Sequence, residues 1–305
     1  MIDLSVVIVN WNVRDLLRRC LDSIFAVGLV GLEVIVVDNA SSDGSPDMLS
    51  DEFPQVVRIA NAENRGFPAA NNQGLALARG RFVMTLNPDT EIVADALARM
   101  IVYLDGHPEV GALGPQLLNP DGSIQASRRR FPSFATALFE STWLQGVAPR
   151  GVLRRFYVAD VPPDVTQEVD WLTGACIAVR REVLAQVGGF DEGFFMYSEE
   201  LDWCRRIKSA GWKIVYLPEA KVIHHVGRSS EQAVTARHIH FQTSKVRYFR
   251  KHHGRIAAGA LRALLLAMYL WQIGLESTKA LLGHKRALRL QRIGTYWQVI
   301  RSGLK

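Results

Sequence analysis

Apolar residues in the first third of the chain fall into two alternating patterns. Leu4-Ser5-Val6-Val7-Ile8-Val9, Glu33-Val34-Ile35-Val36-Val37-Asp38 and Arg81-Phe82-Val83-Met84-Thr85-Leu86 are short runs rich in β-branched and large apolar residues. They predict strands buried on both faces. A further strand is predicted at 56–59. Between these runs, Leu16, Leu17, Leu21, Ile24 and Phe25 share one broad face of a predicted helix over 14–26. Helices are also predicted near 45–52 and from Phe67 to Ala78. Buried strands alternating with helices indicate a parallel α/β sheet. Ligands of such sheets sit beyond the carboxyl ends of the strands. Those ends are polar here: Asn10-Trp11-Asn12, Asp38-Asn39 and Asn87-Pro88-Asp89.

From about residue 115 the pattern loosens. Arg128-Arg129-Arg130, Pro132, Pro149 and Pro162-Pro163 punctuate a loop-rich stretch, with a helix predicted near 134–146. Regularity returns at Val169–Val179. A helix at 181–187, a helix from about 198 to 210, and strands near 213–217 and 221–224 follow. From about 236 the chain reads as helix throughout. The expected segments are therefore 1–115, a nucleotide-binding α/β half, then 116–235, then a helical tail over 236–305.

Charge separates the tail from the body. The chain carries a net +6, but residues 245–305 hold thirteen Lys and Arg against one acid, Glu276, a net +12. Residues 1–244 therefore carry −6. A basic segment on an acidic body points to an anionic partner, nucleic acid or membrane surface. Ile256 to Leu275 is long enough to span a bilayer, but Arg262 interrupts it. Flanking cations at Arg250, Lys251, Arg255, Lys279, Lys285, Arg286 and Arg289 fit an interfacial amphipathic anchor better than a span. The Leu-rich stretch fits lipid better than a phosphate backbone, so no nucleic-acid partner is expected. The three cysteines, Cys20, Cys176 and Cys204, are scattered and suit a reducing compartment. The opening Met1-Ile2-Asp3-Leu4-Ser5 lacks the basic region of a secretory signal.

No G-x-G-x-x-G follows the first strand, where the sequence is Asn10-Trp11-Asn12-Val13, and no G-x-x-x-x-G-K-[ST] occurs. A Rossmann dehydrogenase and a P-loop NTPase are thereby excluded. Asn87-Pro88-Asp89-Thr90 follows a buried strand, and its carboxylate can reach a divalent cation bridging a diphosphate. A plain Asx-Pro turn explains the same residues. Asp38 closes its strand and can accept from a base N–H or a ribose hydroxyl, whereas Asp43 and Ser45 read as helix caps. Asn64-Arg65-Gly66-Phe67-Pro68 opens a helix whose N–H groups can meet an anion; helix initiation at Pro68 explains it equally. Phe194-Phe195-Met196-Tyr197 precedes Ser198, Glu199, Glu200 and Asp202. An N-cap at Ser198 would account for the acids. It does not account for the aromatic run, which could form an apolar wall raising a carboxylate's pKa. His224-His225 closes a strand and offers an imidazole to a metal, although such a pair is more often plain surface.

Taken in order, Ser5–Asn12, Val37–Ser45, Asn64–Phe67, Asn87–Asp89, Thr173–Ala175, Gly188–Glu192, Glu199–Asp202 and His224–Ser229 closely resemble the family 2 glycosyltransferases of the GT-A fold. The resemblance covers residues 3–230. Within the family it looks most like bacterial rhamnosyltransferases that build surface polysaccharides. It implies a mostly parallel GT-A sheet flanked by helices. It also implies an inverting transfer of rhamnose or another hexose from a dTDP- or UDP-sugar to a saccharide acceptor, polyprenyl-diphosphate-linked. The enzyme would lie on the inner face of the cell membrane, held by the basic tail. Donor contacts are implied at Val9, Asn10, Asp38, Asn64, Arg65, Gly66, Asn87 and Asp89. Acceptor contacts are implied at Gly174, Tyr197 and Glu199. Mg²⁺ or Mn²⁺ would sit on Asp89 and His224. Residues 116–235 become the acceptor-binding and catalytic half, with Glu200 or Asp202 as base. Two departures stand out: Glu199-Glu200 replaces a Glu-Asp pair, and Asn87 opens the D-x-D motif. A catalytically silent sugar-nucleotide-binding subunit is the alternative these departures raise.

Overall fold

The computed structural model describes residues 2–140, 142–225 and 234–305. The early pattern folds as expected. β1 (Leu4–Asn10), β2 (Leu32–Asp38), β3 (Val57–Ala60) and β4 (Phe82–Leu86) alternate with α1 (Arg14–Ala26), α2 (Ser45–Glu52) and α3 (Phe67–Leu77). Then come β5 (Thr90–Val93), α4 (Ala96–Gly106), β6 (Val110–Leu118), β7 (Ile124–Gln125), β8 (Arg128–Arg129), α5 (Phe134–Phe139) and α6 (Arg150–Phe156). The segment expected as one helix near 134–146 is α5 followed by a 3-10 turn at Trp143–Val147, and Ser141 lies outside the described residues. After β9 (Gln167–Glu168), β10 (Trp171–Leu172) and β11 (Cys176–Arg180) come α7 (Arg181–Val187) and α8 (Glu199–Ser209). β12 (Lys213–His224) is one strand where two were expected, with a register shift between Leu217 and Lys221 marking the irregularity around Pro218. α9 (Val234–Leu281) and α10 (Arg286–Ser302) close the chain.

The main sheet runs β3-β2-β1-β4-β11-β6-β12-β5, with β7 beside β6 and β9 beside β12. β1, β2, β3 and β4 are parallel, as are β6 and β12, while β11 and β5 run against their neighbours. The sheet is thus mostly parallel, and its central strands β1, β2, β4, β6 and β11 are buried on both faces. Leu17, Leu21, Ile24, Leu97, Met100 and Leu104 pack on one face. Leu75, Val183, Trp203 and Ile207 pack on the other.

Two compact units divide the chain. The first holds residues 1–131, 154–195 and 199–229, and so contains the sheet. The second holds 132–153, 196–198 and 230–305. In the second unit α9 bends at Gly254, whose φ of 88° leaves the helical region. α9 and α10 form a hairpin. Arg262 donates to Gly303 O, Tyr269 and Tyr296 pack with ring centres 5.5 Å apart, and Arg289 pairs with buried Glu276 at 2.7 Å. The residue that interrupts the apolar stretch is therefore used to cap α10.

α3 reaches the sheet only because Gly74 carries no side chain: a Cβ there would lie 2.3 Å from Val7 Cγ1. Gly74→Ala is expected to push α3 off β1 and to lower stability by about 1–3 kcal/mol, the usual cost of overpacking. Urea unfolding of the two proteins checks it.

Candidate functional site

The parallel register brings the polar strand ends to one edge. Asn10 lies opposite Asp38, and Ile8 opposite Leu86, so Asn87 follows directly onto the same edge. β11 enters from the other direction at Cys176, and Asn87 N–H donates to Ala175 O at 2.9 Å. Gly174 therefore arrives beside Asn87.

Asp38 is buried and held in place. Its Oδ1 accepts from Asn10 Nδ2 at 2.9 Å and its Oδ2 from Ser41 N–H at 2.9 Å. Each oxygen keeps acceptor capacity for a ligand donor. Val9 is buried in β1 just before Asn10. Asn39 ties in the next element. Its Nδ2 donates to Asn64 Oδ1 at 2.8 Å, and its Oδ1 accepts from Arg65 N–H at 3.1 Å and Asn61 Nδ2 at 3.0 Å. Asn64 and Arg65 are exposed at this edge. Gly66 has φ 83°, and a Cβ there would come within 2.8 Å of Phe195. Phe67 N–H donates to Phe195 O at 2.9 Å. The aromatic run before α8 thus lies against the opening of α3.

Asp89 and His224 meet because β5 and β12 pair with Thr90 opposite His224. Asp89 Oδ1 is 3.3 Å from His224 Nε2, and both side chains are largely buried. His224 Nδ1 lies 2.7 Å from Gln125 Oε1, an acceptor. That partner fixes the ring proton on Nδ1 and turns the Nε2 lone pair toward the carboxylate. Two acceptors facing each other at 3.3 Å call for a proton or a cation between them. The carboxylate of the pair suits Mg²⁺ or Mn²⁺, and the imidazole suits softer divalent ions. No cluster of three or more His, Cys, Asp or Glu ligands occurs among the described residues, so the protein would supply few of a cation's ligands. Asn87 Nδ2 stands 3.5 Å from His224 Nε2. His225 is engaged elsewhere, with Nε2 2.7 Å from Glu91. The segment from Val226 to Ser229, which continued the His224 motif, lies outside the described residues.

α8 brings in the acids. Trp203 is fully buried and donates to Gly188 O at 2.9 Å. Asp202 is 0% exposed and bonds Arg206 Nε at 2.9 Å, while Arg206 also donates to the carbonyls of Val187 and Gly189. These contacts lock α8 to the end of α7 and engage Asp202 fully in structure. Glu200 is different. Gly174 packs on it, since a Cβ at Gly174 would stand 3.4 Å from Glu200 Cβ and Cγ. Its Oε2 is sealed, with no hydrogen-bond partner among the described residues. Glu199 is buried, and its Oε2 is likewise unpartnered. Burial raises the pKa of both acids. For Glu199 the neighbouring Glu200 charge adds to the rise. For Glu200 it is offset by the N–H groups of Glu200, Leu201 and Gly174 and by Arg129.

Tyr197 and Ser198 enter α8 with φ of 69° and 65°. Two successive non-glycine residues in the left-handed region cost about 1–2 kcal/mol each. Ser198 is thus outside the extended conformation of an ordinary N-cap. Tyr197 packs edge-on against Phe241, and its buried hydroxyl has no hydrogen-bond partner among the described residues.

Several supporting residues escaped the sequence reading. Asn39 and Gln125 act by orienting Asn64 and His224. Asn72 holds the Gly188–Glu192 loop by exchanging bonds with Phe190, at 2.9 and 2.8 Å. Asn72 had a signal, an Asn inside a helix, where the residue is disfavoured. Arg129 reaches the Glu200 region through a ribbon in which β8 pairs with β10, and nothing in the Arg128–Arg130 run announced it.

The glycosyl transferase family 2 model matches residues 5–188. The N-acetylglucosaminyl-diphospho-decaprenol L-rhamnosyltransferase of Mycobacterium tuberculosis is 32% identical over 238 residues, 74% of this chain and 77% of that protein. Rhamnosyltransferase WbbL of Escherichia coli is 27% identical over 168 residues, 52% of this chain and 61% of that protein. Among solved structures, the mannosyltransferase PcManGT from Pyrobaculum calidifontis, in complex with GDP-Man and Mn²⁺, superposes with a TM-score of 0.58 at 20% identity. That superposition covers 99% of this chain and 84% of the other, and it supports the GT-A fold. Sequence motifs, sheet topology and family match agree: the chain belongs to glycosyl transferase family 2 and is a hexosyltransferase.

Proposed function

We propose that this enzyme transfers a rhamnosyl or closely related hexosyl group from a dTDP- or UDP-sugar to a polyprenyl-diphosphate-linked saccharide, with inversion, in cell-surface polysaccharide synthesis. The observation that carries the mechanism is the placement of Glu200: a half-buried carboxyl with a sealed Oε2, against Gly174, at the sheet edge that also holds Asp38 and Asn87. The 32% identity to a rhamnosyltransferase named for a decaprenyl-diphosphate acceptor supports the substrate class.

Asp38, Asn10, Asn64, Arg65 and Gly66 form the nucleotide end of the site. Asp89 and His224 would hold a divalent cation at the diphosphate end, and its charge would stabilise a departing nucleoside diphosphate. Gly174 and Glu199 are assigned to the acceptor end. Glu200 removes the acceptor hydroxyl proton as that oxygen bonds the anomeric carbon and the bond to the diphosphate breaks. Asp202 cannot share this role while its carboxylate serves Arg206.

The tail serves attachment. α9 has an apolar window of mean hydropathy 1.6, only 22% buried, and exposes Leu264, Leu270, Trp271 and Leu275. Leu288, Leu290 and Trp297 of α10 are exposed as well. Exposed Leu and Trp among many cations fit the anionic, cytoplasmic leaflet of the membrane.

Three outcomes are expected. With a panel of sugar nucleotides and lipid-linked acceptors read by mass spectrometry, Glu200→Gln should lower transfer by about 10²–10⁴-fold, the span of general-base catalysis. Its donor binding and stability should be kept. Asp202→Ala should instead lower stability by about 3–5 kcal/mol, the cost of breaking a buried pair. Because burial raises the Glu200 pKa, the base form is lost on acidification sooner than for a free glutamate. The acid limb of kcat should therefore lie above pH 4.5, and a limb at or below 4.5 would contradict the assignment.

Asp89→Asn and His224→Ala should each weaken Mn²⁺ binding in the presence of nucleoside diphosphate, followed by calorimetry. Unchanged metal affinity in both would move the cation elsewhere. Full-length protein should co-sediment with liposomes containing phosphatidylglycerol and not with neutral ones. Charge reversal at the exposed Arg255, Lys285 and Arg286 should release it.

A further inference from the structure

The turn that joins β6 to β7 does more than reverse the chain. Leu117 stands opposite Gln125 on β7 and opposite Val222 on β12. Alternation along the strands therefore brings Asn119, Gln125 and His224 to one face. A row of polar groups crosses the turn and ends on the His224 ring. Asp121 Oδ1 accepts from Ser123 N–H at 2.9 Å and from Ser123 Oγ at 2.6 Å. Ser123 Oγ accepts from Asn119 Nδ2 at 2.9 Å. Asn119 Oδ1 accepts from Gln125 Nε2 at 3.0 Å, and Gln125 Oε1 faces His224 Nδ1 at 2.7 Å.

The order of donors and acceptors in this row is set from both ends. The Ser123 hydroxyl and N–H hold the Asp121 carboxyl below the usual carboxylate range, and an ionised carboxylate only accepts. Ser123 therefore gives its one hydroxyl proton to Asp121 and offers a lone pair to Asn119. Asn119 must then turn Nδ2 to Ser123 and Oδ1 to Gln125. At the other end Gln125 Nε2 also reaches the carbonyl oxygen of His224, at 3.4 Å, a second obligate acceptor. Both ends leave Gln125 Oε1 for the ring and so place the ring proton on Nδ1. On the far side of the ring Asn87 Nδ2, a donor, stands 3.5 Å from Nε2. Turning over the two amides would reverse the links and put the proton on Nε2, facing Asp89. Asp121 and Ser123 are exposed, where water competes for their bonds, whereas Asn119, Gln125 and His224 are partly buried. The inner links therefore carry the control.

We infer that Asn119 and Gln125 are positioning residues for His224, so that the β6–β7 turn belongs to the cation site and decides which ring nitrogen is left open to a metal. The inference rests on the reading of Asp89 and His224 as cation ligands. Asn119 touches neither residue and acts only through the Gln125 amide.

Two measurements on the full-length protein test it. The first reads the His224 ring by ¹⁵N NMR in mildly alkaline buffer with EDTA, its signals being those lost in His224→Ala. The wild-type ring should carry its proton on Nδ1; a proton on Nε2 alone would overturn the inference with no variant needed. Asn119→Ala should give a mixture of the two tautomers. Asn119→Asp, which keeps an acceptor toward Gln125, should hold the proton on Nδ1. The second measurement follows Mn²⁺ affinity in the presence of dTDP by calorimetry. Gln125→Ala should weaken it by about 10–100-fold, the usual cost of removing the partner of a metal-bound histidine, and Asn119→Ala by at least about threefold. In a His224→Ala background Asn119→Ala should change nothing further, as expected of a residue that acts through the ring. A plain structural role would lower the thermal midpoint of Asn119→Ala and leave the tautomer in place, and that result overturns the inference. If His224→Ala weakens Mn²⁺ binding while Asn119→Ala moves neither tautomer nor affinity, the role of the turn falls and the cation reading stands. If His224→Ala leaves Mn²⁺ affinity unchanged, the cation reading falls and this inference with it.

Discussion

Everything at the site depends on the register between β1, β2, β4 and β11. Parallel strands buried on both faces must end, and at that end their backbone groups and side chains leave the apolar layers together. With Asn10 opposite Asp38 and Asn87 bonded to Ala175, that single constraint aligns Asn10, Asp38, Asn87 and Gly174 along one edge. A slip of one residue in any of these pairs would turn the polar ends into the core. Register therefore fixes a row of polar side chains at strand ends without a glycine-rich phosphate loop.

The acids add a second constraint. Two consecutive carboxylates, sealed and partly unsatisfied, would be a liability in an ordinary core. They are tolerated because α8 is fastened by other residues: Trp203 to Gly188, and Asp202 through Arg206 to the end of α7. The division of work along one helix is clear. Asp202, on the face toward α7, is neutralised by a cation. Glu200, on the face toward Gly174, is left with backbone N–H groups and the more distant influence of Arg129. Incomplete solvation of this kind raises a carboxylate's pKa, whereas hydrogen bonds and a nearby cation lower it.

Much of this was legible in the sequence. The buried strands β1, β2 and β4 announced themselves by β-branched and apolar runs, and Asp38 and Asp89 by closing or following them. β6 did not. Its sequence, Val110 to Leu118, contains Gly111, Gly114 and Pro115, residues that normally argue against a central strand. Here Trp212 and Leu172 approach so closely that side chains at Gly111 and Gly114 would collide with them. Such close approach is a tertiary fact, invisible to local pattern. The same holds for Asn39, Gln125 and Arg129. Each acts through a partner far away in the chain, so spacing alone gives no sign of it. The different settings of Glu200 and Asp202 had the same origin: nearby acids look alike in sequence, and only the fold pairs Asp202 with Arg206.

The tail shows how charge and packing can be read separately. Its net charge of +12 pointed to an anionic surface, and the exposed Leu and Trp residues beyond Gly254 fit that reading. The part before Gly254 is different in kind, with Ser244, Lys245, Tyr248 and Phe249 buried. Burial of a lysine beside Glu140 is costly unless the pair is well satisfied, and Lys245 meets two carbonyls as well as the carboxylate. A segment needed only for electrostatic attachment would have no reason to sequester a cation in this way, since a buried charge contributes little to a membrane surface potential. Lys245 is better understood as the far end of the support beneath Phe241 and Tyr197.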